Sequence, residues 1–461
     1  MHKFGTDGVR GVAGQGLMTT RSILDLGIAS SRILSLPNAN SPTLLVGRDT
    51  RASGAALQAA LTAGFLSQGW NVVDAGVLPT PAIARLVRGD DFQAGVVISA
   101  SHNPWHDNGV KFFDSQGSKL SSETEHSIES AWESLAHDRQ TETAPVVFGR
   151  SYARTDLIDR YREELLQETQ APSNHFPLHV IVDCAHGAAT PVWSQSFFDS
   201  LGLKGSLLHT EPNGTNINQN CGATHLDTLT EAVLRSGADL GIAFDGDADR
   251  ALFIDARGHE VDGDATLAIL ARSWIESEGS IPSGQVVATV MSNLGLETAL
   301  RKDSISLVRT DVGDRHVAEA MKNRGSAIGG EQSGHIIVRS HIHPDLLVGD
   351  GTRTALAILK RMTTSGLSLQ ELASAYTRCP QVLVNVPVRE KPPFDSIPAV
   401  VDAQNRILDS LQNRGRILLR YSGTEPIARV MLEGEDREEI EALASPLIEA
   451  LHSSLGTAKS S

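Results

Sequence analysis

The 461-residue sequence contains little cysteine, has no long apolar run and lacks the common nucleotide-binding motifs. Its three cysteines, Cys184, Cys221 and Cys379, lie far apart and form no CxxC pair, so we expect buried or incidental reduced thiols. No segment approaches the roughly 18 apolar residues of a membrane-spanning helix. Neither a P-loop nor a GxGxxG pattern occurs, which removes the usual support for nucleotide binding.

The charge and the first residues exclude further classes. Residues 1–7 contain no apolar core of a signal peptide, because Gly5 and Asp7 interrupt it, and we expect a cytoplasmic protein. The formal net charge is −15, which disfavours nucleic acid and anionic membranes as partners. If so acidic a protein binds phosphates, its arginines must be concentrated locally.

The chain is too long for one hydrophobic core, and its pattern predicts several domains. Short apolar strands alternate with helices in three successive segments, which is typical of α/β units. The last segment instead predicts a small α+β unit, and a polar stretch near residues 141–145 marks one boundary. We predict domains at residues 1–145, 146–255, 256–372 and 373–461.

Individual elements follow from the same pattern. Strands are predicted at residues 43–47, 71–73, 96–98, 109–113, 178–183, 240–244, 286–290, 382–388, 415–419 and 428–433. Helices are predicted at about residues 53–68, 81–87, 191–200, 224–235, 264–277, 296–301, 352–362, 397–411 and 438–451, with another ending near residue 325. Residues 251–261 predict a hairpin.

A serine-rich loop follows the predicted strand at 96–98. Ser99, Ser101, His102 and the Asn103-Pro104 turn stand together, and a hydroxyl at a rigid strand end suits covalent group transfer. Serines at strand ends more often cap or turn the chain, so the pattern alone leaves both interpretations open. Lys111 lies on a following strand that we expect to fold back beside this loop.

Three aspartates, Asp245, Asp247 and Asp249, follow the apolar strand at 240–244. Like charges at this spacing repel unless a cation neutralises them, and Mg²⁺ is favoured because it accepts few protein ligands and welcomes a phosphate oxygen. An EF-hand loop is excluded, because Arg250 and Ala256 stand where it needs glycine and glutamate. A solvated acidic turn remains the alternative.

Two glycine-rich segments have the composition of ligand-binding loops. In GGEQSGH (329–335), alternate residues Glu331, Ser333 and His335 would line one face of an extended strand and bind sugar hydroxyls. In FGTDGVRG (4–11), glycines would let the backbone approach a ligand while Arg10 reaches a phosphate. A structural histidine and a simple terminal turn are the respective alternatives.

The segment between the last two predicted strands has the composition of a phosphate cradle without a P-loop. Its arginines, hydroxyls and glycine are Arg420, Ser422, Gly423, Thr424 and Arg429. A surface turn with charged flanks is the alternative. Taken together, the loops predict phosphoryl transfer onto a sugar.

Two other classes compete with this interpretation. A haloacid-dehalogenase-like phosphatase would use Asp245 and Asp247, but it expects threonine or valine where Asp249 stands, and it leaves the serine loop without a role. A non-catalytic sugar-phosphate sensor is the third possibility, and absence of phosphate on Ser101 would support it.

Four motifs resemble the α-D-phosphohexomutase family over essentially the whole chain. They are FGTDGVRG (4–11), SASHNP (99–104), GGEQSGH (329–335) and SGTEP (422–426) followed by RVM (429–431). The resemblance implies an α/β protein of four domains around a central cleft, with three related mixed-sheet domains and a C-terminal TBP-like α+β domain. It is strongest to members that interconvert glucosamine 6-phosphate and glucosamine 1-phosphate for UDP-N-acetylglucosamine biosynthesis, with phosphomannomutase or phosphoglucomutase activity as the alternative.

The resemblance also implies roles for individual residues. Ser101, rather than Ser99, would carry the phosphoryl group and complete a site for one Mg²⁺ per chain with the three aspartates. Lys111, Arg10, Arg250 and His335 match positions near the transferring phosphate, whereas Glu331 and Ser333 match sugar ligands. A glucosamine or glucose 1,6-bisphosphate activator, a small sugar phosphate as substrate and a monomer or homodimer are implied.

Overall fold

A computed structural model describes residues 3–5, 7–35, 42–89, 92–137, 147–169, 178–412, 414–422 and 425–456. The chain divides into two compact units. The first comprises Met1–Thr289 with Leu307–Ala375, and the second comprises Val290–Ser306 with Tyr376–Ser461. None of the helices in the described part of the chain is long and apolar enough to cross a bilayer.

The first sheet has six strands: β1 (Val9–Val12), β2 (Thr43–Arg48), β3 (Asn71–Val77), β4 (Ala94–Ile98), β5 (Asp107–Asp114) and β6 (Ser151–Ala153). Their order is β1-β5-β4-β2-β3-β6. Four helices connect or cover them, α1 (Thr20–Leu34), α2 (Gly54–Ser67), α3 (Thr80–Leu86) and α4 (Ser122–His137), and α5 (Leu157–Thr169) follows β6 and packs against α3. Strand β2 pairs in parallel with β3 and β4, whereas β5 returns antiparallel to β4. All five residues of β4 are buried, as expected of a strand covered on both faces.

Two glycines let α1 and α2 approach each other closely. A Cβ atom on Gly27 would lie 2.6 Å from the carbonyl oxygen of Leu61, and one on Gly64 would lie 2.6 Å from that of Leu24. A side chain at either position would push the helices apart, so small residues are required along this contact.

The second sheet holds β7 (His179–Asp183), β8 (Lys204–Leu208), β9 (Leu240–Phe244), β10 (Ala251–Asp255) and β11 (Glu260–Val261), in the order β11-β10-β9-β7-β8. Helices α6 (Gln195–Leu201) and α7 (Asp227–Ser236) belong to this part of the chain. Strands β9 and β10 pair antiparallel, and the aspartate loop connects them. Because β9 is buried along its whole length, the loop starts from a rigid edge.

The third sheet consists of β12 (Gln285–Thr289), β13 (Ser306–Thr310), β14 (Ile328–Gly330) and β15 (Ile336–Val338), in the order β13-β12-β14-β15. Its part of the chain includes α8 (Gly263–Glu278), α10 (Asp314–Arg324), α11 (Gly351–Ser365) and α12 (Leu369–Ala373). The intervening helix α9 (Leu294–Lys302) falls in the second unit. Strands β14 and β15 form an antiparallel hairpin.

The second unit is an α+β structure. Strands β16 (Gln381–Pro387), β17 (Gly415–Tyr421) and β18 (Ile427–Gly434) form an antiparallel sheet with β18 in the centre. Helices α13 (Pro398–Leu411) and α14 (Arg437–Leu455) supply apolar side chains to its core, which includes Val400, Ile407, Leu447 and Leu451.

Most predicted elements are confirmed to within a few residues, including the helix predicted at 53–68 and all three strands of the second unit. Helices α1, α4, α5 and α12 and the strands β1, β6, β8, β13, β14 and β15 were not predicted. The polar stretch at 141–145 lies outside the described residues, and the four domain boundaries stay a prediction.

A buried hydrogen-bond network surrounds Glu433 within the second unit. Glu433 is fully buried and accepts hydrogen bonds from Arg416 Nε (2.5 Å), Asn293 Nδ2 (3.1 Å) and the backbone NH of Leu294 (3.0 Å). Glu433→Gln leaves the charge of Arg416 without its counter-ion, and we expect a loss of about 3 kcal/mol in the free energy of unfolding, measured by urea denaturation.

The matched control is Glu439→Gln, which breaks the exposed pair of Glu439 with Arg414. No measurable change is expected there, because solvent screens exposed ion pairs. Equal losses in the two variants would contradict the importance of the buried network.

Candidate active site

The serine loop begins where β4 ends, at Ile98, and continues as a turn, as predicted. Ser101 is 1% exposed and has a φ of 52°. Its Oγ donates a hydrogen bond of 2.6 Å to Asp245 Oδ2, from the second sheet's loop. Strand β5 folds back beside β4 and places Lys111 opposite Val97, also as predicted. The serine and the first aspartate, 144 positions apart in sequence, therefore meet.

The three aspartates converge. Each offers a carboxylate oxygen within 4.8 Å of those of the other two, and all three residues are buried. Burial, reinforced by the negative charges of Asp249 and Asp247, raises the pKa of Asp245 well above its usual range. Such a cluster needs positive charge to be stable in its ionised form.

The carboxylates fit a hard divalent cation. Asp247 Oδ1 and Asp249 Oδ1 are buried and have no hydrogen-bond partner among the described residues. Asp247 Oδ2 accepts hydrogen bonds from Thr80 Oγ1 (2.5 Å) and Lys111 Nζ (2.8 Å), and Asp249 Oδ2 lies 3.6 Å from His335 Nδ1. Three converging carboxylates, two of them with an oxygen that accepts no hydrogen bond from the described residues, are the ligand type that Mg²⁺ prefers.

Lys111 lies at the centre of the charged cluster. Its Nζ is 2.8 Å from both Asp247 Oδ2 and Asp7 Oδ2, and 3.8 Å from Asp249 Oδ2. Burial disfavours the ammonium form, but the surrounding carboxylates outweigh burial and raise the pKa of Lys111 above its usual value. The side chain therefore carries a fixed positive charge beside the aspartates.

A cavity of about 460 Å³ adjoins this cluster. Arg10 and Arg250 line it together with His102, Asp249 and His335. Burial and the two arginines lower the pKa of His102 to about 4, so this imidazole is neutral near pH 7. His335 differs: burial favours its neutral form, but Asp249, 3.6 Å from Nδ1, outweighs burial and raises the pKa of His335 to about 9.

The segment from Glu331 to His335 is a turn, and the expectation of an extended strand there was wrong. Gly334 has a φ of 91°, and its NH donates to the carbonyl of Glu331 (3.0 Å), so the chain reverses between β14 and β15. Glu331 and His335 still line the cavity, whereas Ser333 is not among its described lining residues.

The second unit holds part of the predicted phosphate cradle. Arg420 and Arg429 stand opposite each other on β17 and β18 and line a cavity of about 170 Å³. Ser422 is buried, and its Oγ accepts a hydrogen bond from the NH of Glu425 (3.2 Å). Gly423 and Thr424 lie outside the described residues. Lys391, which the sequence did not single out, donates to the carbonyl of Ser422 (2.5 Å).

Sequence reasoning also missed several charged residues of the first unit. Lys119 Nζ bridges Asp7 and Asp314, and Asp314 lies 3.9 Å from His335 Nε2. Arg10 pairs with Asp7, whose pKa is well below the usual range because Lys111, Lys119 and Arg10 outweigh its burial. Asp7 belongs to a motif that was noticed, but nothing local marks Lys119 or Asp314.

A second group of possible metal ligands, Asp183, His209 and Cys221, has a structural explanation. The Asp183 carboxylate accepts hydrogen bonds from the backbone NH groups of Ala185 (2.8 Å) and Gly222 (2.9 Å), and it lies 3.0 Å from His209 Nδ1. It therefore ties together the loops that follow β7 and β8.

Models of known protein domains match this chain along most of its length. Models described as phosphoglucomutase/phosphomannomutase alpha/beta/alpha domains I, II and III match residues 1–139, 159–258 and 262–379, and the C-terminal domain matches 383–450. A phosphoglucosamine mutase from Rhodococcus opacus is 46% identical over 445 residues, covering 96% of this chain and 98% of the relative.

Solved structures share the fold at lower identity. A phosphoglucomutase/phosphomannomutase family protein from Burkholderia thailandensis has a TM-score of 0.79 at 20% identity, covering 99% of this chain and all of the other. Aspergillus fumigatus N-acetylphosphoglucosamine mutase, solved with GlcNAc-6P and magnesium, has a TM-score of 0.63 at 20% identity. The alignment covers 99% of this chain and 96% of the Aspergillus chain.

Proposed function

This chain belongs to the phosphoglucomutase/phosphomannomutase family, and we propose that it interconverts glucosamine 6-phosphate and glucosamine 1-phosphate, the phosphoglucosamine mutase activity. The Rhodococcus relative, which bears that name, supports this substrate over mannose or glucose phosphates. The product would serve UDP-N-acetylglucosamine biosynthesis in the cytoplasm.

One observation carries the chemistry: the Ser101 hydroxyl lies 2.6 Å from a carboxylate of a buried aspartate cluster that also contacts Lys111. A hydroxyl held beside a site for a divalent cation, next to a cavity lined by arginines, suits reversible phosphorylation of the enzyme. We propose that Ser101 is phosphorylated in the active form and that Asp245, Asp247 and Asp249 bind one Mg²⁺ with the phosphoserine oxygen.

Transfer then runs in two halves. The bond between phosphorus and Ser101 Oγ breaks as the sugar O1 forms its own bond to phosphorus, and the proton that the sugar hydroxyl loses is balanced by one that Ser101 Oγ gains. The 1,6-bisphosphate turns around, and its 6-phosphoryl group returns to Ser101 by the same exchange of bonds. A free glucosamine or glucose 1,6-bisphosphate would rephosphorylate an enzyme that has lost its phosphoryl group.

Fixed positive charges offset the charge of the transferring group. Arg10, Arg250 and the protonated His335 line the cavity, and Lys111 lies beside Asp247 in the aspartate cluster. A bound Mg²⁺ would add Lewis-acid stabilisation of the phosphoryl oxygens. Because ion pairs with Asp7, Asp247 and Asp249 hold these groups in place, little reorganisation is needed during transfer.

The sugar ligands are Glu331 and, from the resemblance alone, Ser333. Glu331 Oε1 accepts a hydrogen bond from the NH of Gly313 (3.1 Å), which fixes the carboxylate at the cavity wall, where it can bind sugar hydroxyls. For the phosphate that is not reacting, we propose Arg420, Ser422, Gly423, Thr424 and Arg429. The protein would act as a monomer or homodimer on this small sugar phosphate.

The test compares substrates on the purified protein after peptide mapping for phosphate. We expect phosphate on Ser101 and a kcat/KM for glucosamine 6-phosphate at least about tenfold higher than for mannose or glucose phosphates. Preference for either of those sugars would favour phosphomannomutase or phosphoglucomutase activity instead.

A phosphatase and a non-catalytic sensor would give different results in the same experiment. Release of inorganic phosphate without an isomerised sugar would indicate a phosphatase. Binding without turnover, with Ser101 unphosphorylated in every preparation, would indicate a sensor.

A further inference from the structure

Three buried polar side chains behind the serine loop have no part in the site described so far. Asp49 directly follows β2, and Ser99 directly follows β4, the neighbouring parallel strand. Arg51 lies two residues beyond Asp49. Their exposed fractions are 0%, 0% and 2% respectively, so none of them reaches the cavity solvent.

The Arg51 guanidinium binds the main chain of the serine loop at four points. Its Nη2 donates to the carbonyl oxygens of Ser101 (2.8 Å) and Asn103 (2.8 Å). Its Nη1 donates to those of Pro104 and Asp107, the latter at 3.2 Å. Only the planar fork of arginine offers donors in several fixed directions at once, whereas lysine is a point charge. Arg51 therefore contacts carbonyl groups along the whole turn, and Asn218 Nδ2 shares those of Ser101 (2.9 Å) and Asn103 (3.2 Å).

Asp49 and Ser99 complete the arrangement. Asp49 Oδ2 accepts from Arg51 Nε (2.8 Å) and from Ser99 Oγ (2.6 Å). Ser99 Oγ in turn accepts the backbone NH of Ser101 (2.9 Å). The NH and the carbonyl of Ser101 are thus both held from behind, and the hydroxyl of Ser99 is already used.

This support matters because Ser101 has a left-handed backbone, with a φ of 52°. A non-glycine residue adopts that conformation only when its surroundings hold it there. Relaxation of the loop would turn Oγ away from Asp245, its partner at 2.6 Å.

We propose that Arg51, Asp49 and Ser99 are positioning residues that hold the Ser101 hydroxyl in place for phosphoryl transfer. The proposal rests on the proposed transfer through Ser101. None of the three is among the described residues that line the cavity. They therefore govern the rate of transfer and leave binding of the sugar phosphate unchanged.

Arg51→Lys tests the guanidinium. Lysine keeps a charge beside Asp49 but cannot reach all four carbonyls, and displacement of a reacting group by about 1 Å costs on the order of 100-fold in rate. We expect kcat to fall about that much while KM for glucosamine 6-phosphate stays within about twofold. Hydrogen exchange should accelerate for the amides of the serine loop and not across the first sheet.

Arg85→Lys is the matched control, because Arg85 is also a buried arginine paired with carboxylates, Glu168 and Asp350, away from the serine loop. It should lower stability without the drop in kcat. Ser99→Ala and Ser99→Thr supply a second, milder pair: we expect kcat to fall about tenfold in the alanine variant and to recover mostly in the threonine variant, which keeps the hydroxyl.

Several results would overturn the proposal. Unchanged kcat in both Arg51→Lys and Ser99→Ala would do so, as would a rise in KM that accounts for the lost efficiency, or equal losses of kcat in Arg51→Lys and Arg85→Lys. If Arg51→Lys does not fold, the two Ser99 variants decide. Full activity of Ser101→Ala would instead refute the proposed function itself, so the two failures are distinguishable.

Discussion

Ser101→Ala is expected to abolish turnover of glucosamine 6-phosphate, with a fall in kcat on the order of 10⁴-fold or more. The change removes the oxygen that we propose carries the phosphoryl group and that donates to Asp245 Oδ2. The cavity-lining side chains, among them Arg10, Arg250 and Glu331, remain. Isothermal titration should therefore show glucosamine 6-phosphate still binding, while a coupled assay for glucosamine 1-phosphate shows no turnover.

Ser99→Ala is the natural control, because it removes a hydroxyl two residues away that the structure commits to Asp49 and to the NH of Ser101. That variant should be slowed but still phosphorylated on Ser101 when its peptides are mapped. Near-normal turnover by Ser101→Ala, or phosphate located on Ser99, would remove the covalent scheme.

The strand ends of this protein were predictable because their signal is local. A short apolar run such as β4 or β9 predicts a buried strand, and the polar residues directly after it must lie at the sheet edge. Ser101 and Asp245 each follow such a run, and the structure brings them together. Neither run indicates which sheet edges face each other. That expectation came from the resemblance of the motifs to the α-D-phosphohexomutase family.

Helix α1 shows why other elements were missed. It buries Gly27, Ser30 and Ser31, residues that favour other conformations in isolation. Its stability comes from close packing on α2, where Gly64 removes the steric barrier. Tertiary contact outweighs local preference here, and no window of sequence reports that contact.

The turn at 331–335 illustrates the opposite error. Glu331, Ser333 and His335 alternate as they would on a strand, but a φ of 91° at Gly334 reverses the chain between them. Only glycine adopts that conformation freely, so Gly334 indicated the turn, whereas the alternation of polar residues wrongly indicated a strand.

Long-range ion pairs could not be predicted from the sequence for a simpler reason. Lys119 and Asp314 are 195 positions apart, and no local pattern connects them.

Removal of divalent cations is expected to lower turnover by roughly 1,000-fold, because a Lewis acid at a transferring phosphoryl group contributes several kcal/mol. Three buried carboxylates converge, and two of their oxygens accept no hydrogen bond in the described part of the chain. Dialysis against a chelator followed by assay measures the loss, and added Mg²⁺ should restore the rate.

A thermal shift gives a readout independent of activity. The proposed Mg²⁺ site exists only in the folded chain, so added Mg²⁺ should raise the Tm of the wild-type protein in a concentration-dependent manner. Asp245→Asn removes one ligand charge from the cluster and should abolish most of this shift, whereas Asp183→Asn, in the structural group after β7, should lower Tm but keep the response to Mg²⁺. An equal Mg²⁺ shift in Asp245→Asn and wild type would place the cation elsewhere, and full activity after chelation would show that the aspartate cluster works without one.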